Sequence, residues 1–273
     1  MKALLRLGVL CAISVLFVPP LLHTGRAADD TALTDCDTLA ASPFDPDRKA
    51  DGVADEKLNP QKALDACLAA TARFPDNARL HFQLGRVYQQ SKRFGDAAAE
   101  YRKAADAGYK AAQYNLGRLY DQGYGVPKDD AQAAAWYRKA ADLGFVEAQN
   151  NLGVMYGEGR GVPQNFVQSE AWLRKAADQG YPVAQCNLGY LYLGTTGFGL
   201  ARDYVQAADW FRKAADQGFA SAQEVLGNIY EVGNSGVPRD LAKAISWYRK
   251  AADQGNARAK EKLSALLKDA THH

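Results

Sequence analysis

The chain has 273 residues, of which 47% are apolar, enough to bury one elongated domain or one to two compact ones. Lys and Arg number 33 against 31 Asp and Glu. Without Lys2, Arg6 and Arg26 of a leader the balance is 30 against 31, so a near-neutral surface gives nucleic-acid binding no electrostatic warrant.

Residues 1–27 read as a secretory signal peptide. Lys2 and Arg6 form the basic start, an apolar run extends from Leu7 to Val18, and Gly25-Arg26-Ala27 places small residues before a cut after Ala27. That run is shorter than the roughly 20 residues of a membrane span, and Pro19-Pro20 breaks it. Cys11 lacks a lipobox. The expectation is an exported protein, periplasmic or secreted in a Gram-negative bacterium, with no membrane association after cleavage.

Residues 28–76 read as an N-terminal cap segment, extended and rich in Asp and Pro over 37–58. Asn59-Pro60 opens a helix near 60–73, and Pro75 closes it. In an oxidising compartment Cys36 and Cys67 are disulfide candidates that would tie this stretch to the helix, worth roughly 3–4 kcal/mol from loop closure. The alternative is two unrelated thiols. Cys186 is left over, either a buried thiol or an exposed reactive one.

From there the chain repeats. Leu-Gly returns at 84–85, 116–117, 152–153, 188–189 and 226–227, each with a tyrosine three residues on: Tyr88, Tyr120, Tyr156, Tyr192 and Tyr230. The units run 77–110, 111–146, 147–182, 183–220 and 221–256, and 257–273 reads as a polar capping helix and tail. Each unit predicts two helices. In the first, Ala112, Leu116 and Tyr120 share one stripe. Gly117 costs about 1 kcal/mol against alanine in a helix, so its return in every unit predicts a neighbouring helix too close for a side chain. The link GYGVPKD, echoed by GRGVPQN at 159–165, supplies glycines to end that helix. Asp129, Asn165, Asp203 and Asp240 then stand as N-caps of the second helix. All four tryptophans take one slot of that helix, in WYRKAAD (136–142), WLRKAAD (172–178), WFRKAAD (210–216) and WYRKAAD (247–253), after EYRKAAD at 100–106. They read as its large knobs, buried by stacking rather than forming a ligand cage.

The pattern A-Q-x-x-L-G-x-x-Y, then G-V-P, then A-x-x-W-Y-R-K-A-A-D-Q-G resembles the Sel1-like repeat, a relative of the tetratricopeptide repeat. Four units from about 111 to 256 carry it, and 77–110, with QSKRFG for a link, is similar to the shorter tetratricopeptide form. The resemblance implies an all-α fold, a right-handed solenoid of stacked antiparallel helix pairs. It also implies a non-catalytic scaffold that binds a protein or peptide and needs no cofactor. A secreted cysteine-rich subgroup, linked to penicillin binding or hydrolysis, has a disulfide in each repeat. Only Cys186 lies inside the repeats here, so that activity is not carried over.

No catalytic constellation stands out. His81, His272 and His273 lack metal-ligand spacing, no serine sits in G-x-S-x-G, and GYGVPK lacks the spacing of a phosphate loop. Arg138, Arg174, Arg212 and Arg249 each precede an aspartate by four residues (Asp142, Asp178, Asp216 and Asp253), which predicts a self-neutralised face. What remains is a surface. First helices line the concave side of a stacked array, and the positions two before and two after each repeated Leu should face it. These are Tyr114 and Arg118, Asn150 and Val154, Cys186 and Tyr190, and Glu224 and Asn228. They vary between units while the packing positions do not. That variation fits a groove reading one partner, or a surface free to drift. Two other classes stay open: a periplasmic regulatory subunit of a membrane sensor, and an envelope enzyme or carbohydrate-binding protein.

Overall fold

A computed structural model describes residues 33–43, 45–194 and 202–271; the leader and His272 and His273 lie outside them. The described residues form thirteen α-helices and a single isolated β-bridge, Asn234 with Val237. An N-terminal arm carries α1 (Asp35–Ala40) and a 3-10 turn (Asp55–Lys57), followed by α2 (Pro60–Arg73). Five helix pairs follow: α3 (Ala78–Gln90) with α4 (Phe94–Asp106), α5 (Lys110–Gln122) with α6 (Asp130–Asp142), and α7 (Val146–Glu158) with α8 (Phe166–Asp178). Then come α9 (Pro182–Leu193) with α10 (Tyr204–Asp216), and α11 (Ala220–Val232) with α12 (Leu241–Asp253), before α13 (Ala257–Thr271) closes the array. Each helix from α2 onward packs on its sequence neighbours, the arrangement of an α-solenoid.

Within a pair, the repeated glycine takes a bulky side chain of the facing helix, an aromatic ring in four pairs and Leu173 in the α7–α8 pair. A Cβ on Gly117 would stand 2.8 Å from the Tyr137 ring, and Gly85, Gly153, Gly189 and Gly227 meet Tyr101, Leu173, Phe211 and Tyr248 in the same way. The close approach is therefore made by the residue after the tryptophan, which corrects the expected knob. Tyr137, Phe211 and Tyr248 are fully buried. Trp136, Trp172 and Trp210 are buried too and Trp247 is partly buried, each under a lysine lid. Lys139, Lys175, Lys213 and Lys250 place their Nζ 3.7, 3.9, 3.6 and 3.9 Å from the ring centroids of Trp136, Trp172, Trp210 and Trp247. Position i+3 on a helix puts the lysine stem along the ring and its ammonium over the face, a cation–π contact.

Between pairs, glutamines hold the register. Gln113, Gln149, Gln185 and Gln223 each donate to a carbonyl at the end of the preceding second helix, at Ala105, Ala141, Ala177 and Ala215. Their own carbonyl oxygens accept from the end of the second helix of the same unit: Gln179 donates to Gln149, Gln217 to Gln185 and Gln254 to Gln223. At the first rung the donor is missing, because Leu143 stands where the three later units have glutamine, and Gln113 Oε1 is buried without a partner.

The links are equally regular. Asp129, Asn165, Asp203 and Asp240 cap the second helices as expected. Their amides also donate to the carbonyls of the repeated tyrosines Tyr120, Tyr156, Tyr192 and Tyr230. Gly161 has φ +66°, and a Cβ there would lie 2.0 Å from the Asp130 carbonyl oxygen at the start of α6, so the link of one unit rests on the helix N-terminus of the unit before. The expected Arg–Asp pairs along the second helices do not form among the described residues. Arg102, Arg138 and Arg174 reach instead to the hydroxyls of Tyr120, Tyr156 and Tyr192 in the next unit, and Arg212 pairs with Asp209.

The N-terminal arm departs from an extended reading. Thr34 and Asp37 form a reciprocal capping box that starts the six-residue α1. Cys36 and Cys67 are joined by a disulfide that ties α1 to α2.

Candidate partner-binding face

The arm lies along α3, and α3 is buried at every position from Arg79 to Val87 as a result. Three polar side chains of α3 hold it. Arg79 pairs with the buried Asp37, and Gln83 donates to the same carboxylate at 2.8 Å. Arg86 donates to the backbone carbonyls of Ala40 and Val53 at 2.7 and 2.8 Å and to Asp55 at 2.5 Å. Further along, Tyr109 donates its hydroxyl to Asp45. Burial raises the Asp45 carboxyl above the usual range, and that hydrogen bond opposes the rise.

Beside the arm a cleft of about 360 Å³ opens. Ser42, Asp45 and Asp55 form its arm side, Tyr114 and Arg118 come from α5, Phe145 and Glu147 from the start of α7, and Tyr181 from the residue capping α9. Tyr114 packs against Phe145 at a tilt of 33° with centroids 5.0 Å apart, and the Arg118 guanidinium stands 5.9 Å from the Tyr114 ring centroid. Burial raises the Glu147 carboxyl, and only its own amide opposes that.

The eight sequence-nominated positions separate into groups. Tyr114 and Arg118 line this cleft. Val154 and Tyr190 line a smaller one of about 140 Å³ with Asn187 and Leu191. Glu224 is half-buried and Asn228 exposed, and Asn228 bonds the Tyr248 hydroxyl. Asn150 and Cys186 are corrections: at 5% and 4% exposure they are core residues, not groove residues. Asn150 accepts from Asn187 at 2.8 Å, and burial pushes the Cys186 thiol up to about 12, which keeps it protonated and unreactive. The period that nominated them places residues on a face but does not report how tightly the next helix closes over it. Glu147, Phe145 and Tyr181 were missed because they sit at helix starts, outside the positions flanking the repeated Leu. Glu147 at the head of a first helix, where the other units have Ala111, Val183 and Ser221, was the available signal.

A broader depression of about 510 Å³ over α8 and α10 is lined by Arg174, Asp209, Trp210 and Arg212, whose arginines are already paired. Among the described residues no group of His, Cys, Asp or Glu is arranged to hold a metal ion, and no helix is long and apolar enough to cross a membrane.

Comparison with known proteins bears on this arrangement. Comparison with curated proteins finds no match. The chain is similar to the solved structure of c5321, a protective antigen of uropathogenic Escherichia coli strains that displays an SLR fold. The TM-score is 0.68 and the identity 31%, over 82% of this chain and 47% of that one, so the chain spans about half the length of the antigen. It is also similar to a Sel1 repeat protein from Oxalobacter formigenes, with 37% identity over 66% of this chain and 72% of that one and a TM-score of 0.59. The Sel1 repeat family model matches residues 110–145, 146–181, 182–219 and 220–256, more than half of the sequence. The chain belongs to the Sel1 repeat family.

Proposed function

We propose that the protein is an exported, non-catalytic adaptor that binds a protein or peptide partner on the face formed by the first helices of its repeats. The observation that carries this reading is the contrast on α5, α7, α9 and α11. Packing positions are repeated unit after unit, while Tyr114, Arg118, Val154, Tyr190, Glu224 and Asn228 differ and are at least partly accessible. Tyr and Arg are enriched at binding hot spots, and the two that share a cleft stand beside a side of the arm that is already built from main-chain recognition. Export is supported by the leader pattern at 1–27 and by the Cys36–Cys67 disulfide, a bond that persists in oxidising compartments.

The test is affinity capture from periplasmic extract with the protein and with a variant carrying Tyr114→Ala, Arg118→Ala and Tyr190→Ala. A partner held by the protein and lost by the variant is the expected result. Retention by both would place binding elsewhere, and turnover of peptidoglycan fragments or β-lactams would replace the adaptor reading with an enzymatic one.

A further inference from the structure

We infer that the cleft between the N-terminal arm and α5–α7 seats a lysine or arginine side chain of an extended partner peptide, with Glu147 as its counter-charge. The inference rests on the adaptor reading above and specifies what that partner presents.

Two features of the cleft select a cation. Glu147 lines it, half-buried, and among the described residues it has no ion pair. A partly desolvated carboxylate without a counter-ion is an electrostatic cost that an incoming cation removes. The other acids there are already engaged, Asp55 by Arg86 and Asp45 by Tyr109. Around Glu147 stand Tyr114, Phe145 and Tyr181, whose ring faces attract ammonium and guanidinium groups and repel anions.

The arm shows how this face holds an extended chain. Arg86 takes two main-chain carbonyls of the arm from the second position after the repeated Leu of α3. Arg118 occupies the same position on α5, is exposed, and has no ion pair among the described residues. A peptide running on from the arm would give its carbonyls to Arg118 and a basic side chain to Glu147.

The experiment selects random dodecapeptides on the immobilised protein and measures the best binder by calorimetry. The measurement is repeated with its basic residue replaced by norleucine, and on Glu147→Gln and Arg118→Ala variants whose helical melts match the parent. Selected peptides should share a Lys or Arg. Glu147→Gln should weaken binding roughly tenfold or more, and norleucine should cost as much on the parent but nothing further on that variant. Peptides that bind without a basic residue, or equally well to Glu147→Gln, overturn the inference; if Arg118→Ala weakens them, the groove reading survives. If no peptide is retained, the inference falls together with the peptide-binding reading.

Discussion

The same heptapeptide slot holds Glu100 in the first helix pair and a tryptophan in the four that follow, and the surroundings differ accordingly. In the later pairs the lysine three residues on lies over the indole. In the first pair Lys103 pairs with Glu100 at 2.7 Å, and Glu100 also meets His81 Nδ1 at 2.6 Å. The contrast extends across the regions. From α5 to α12 the contacts recur, a bulky side chain on glycine in every pair and glutamine on glutamine in the last three, because these units repeat one pattern. The N-terminal unit has no such neighbour on one side, and it is closed by a disulfide and by Arg79, Gln83 and Arg86 on the arm. A terminal repeat needs a dedicated cover, and one made of specific polar bonds and a cross-link does not invite a further repeat to stack.

The largest effect expected is from uncoupling that cover. Replacing Cys36 and Cys67 together by serine should cost roughly 3–4 kcal/mol, from the entropy of the loop they close. Because stability in a stacked array is local, the loss should appear in thermal melts as an early transition confined to the N-terminal unit, with the later repeats unchanged. A single shifted transition would show that the two regions unfold as one. Next is Gly161→Ala in the regular array. Alanine there must take φ +66° and meet the Asp130 backbone, so about 2–4 kcal/mol should be lost in chemical denaturation, although alanine is the better residue in most settings.

Leu143→Gln should act in the opposite direction. It supplies the donor that Gln113 Oε1 lacks and extends the glutamine ladder to the first rung, for a gain of about 0.5–1.5 kcal/mol in the denaturant midpoint. No gain would mean that the ladder follows from packing rather than contributing to it. The smallest effect is pH dependence of the N-terminal unit. The hydrogen bond to Glu100 raises the His81 pKa above 6.5, burial opposes it, and the Pro75 carbonyl at 2.7 Å adds to the rise. A raised histidine stabilises fully below its ordinary value and loses that contribution as pH rises through the folded-state value. The early melting transition should therefore fall on going from about pH 6 to about pH 9, and a His81→Gln variant should show a flat response.

Much of this was legible in the residues. The helix pairs, their N-caps and the helix opened by Asn59-Pro60 follow from signals a few residues apart. Gly117 announced a close approach, but not that Tyr137 rather than Trp136 made it, since adjacent residues of one helix differ by only about 100° in direction. Arg138 showed a charged partner within reach on its own helix, and the fold gave it Tyr156 instead. Asn150 and Cys186 carried the period of exposed positions and were closed over by neighbouring helices. Glu147 became visible only once the arm had been placed beside α5 and α7.

The sequence by itself determined the repeat, its register and the residues that must be buried, because those depend on local spacing and on the requirement that one helix face leave water. Only the tertiary structure decided which groups meet across units: the arm on α3, Arg102, Arg138 and Arg174 on the tyrosine hydroxyls of the next unit, and Glu147, without an ion pair among the described residues, among aromatic rings. Those contacts join residues up to 64 positions apart, as for Asp45 and Tyr109, and depend on how successive helices lean on one another, which no spacing within a unit encodes.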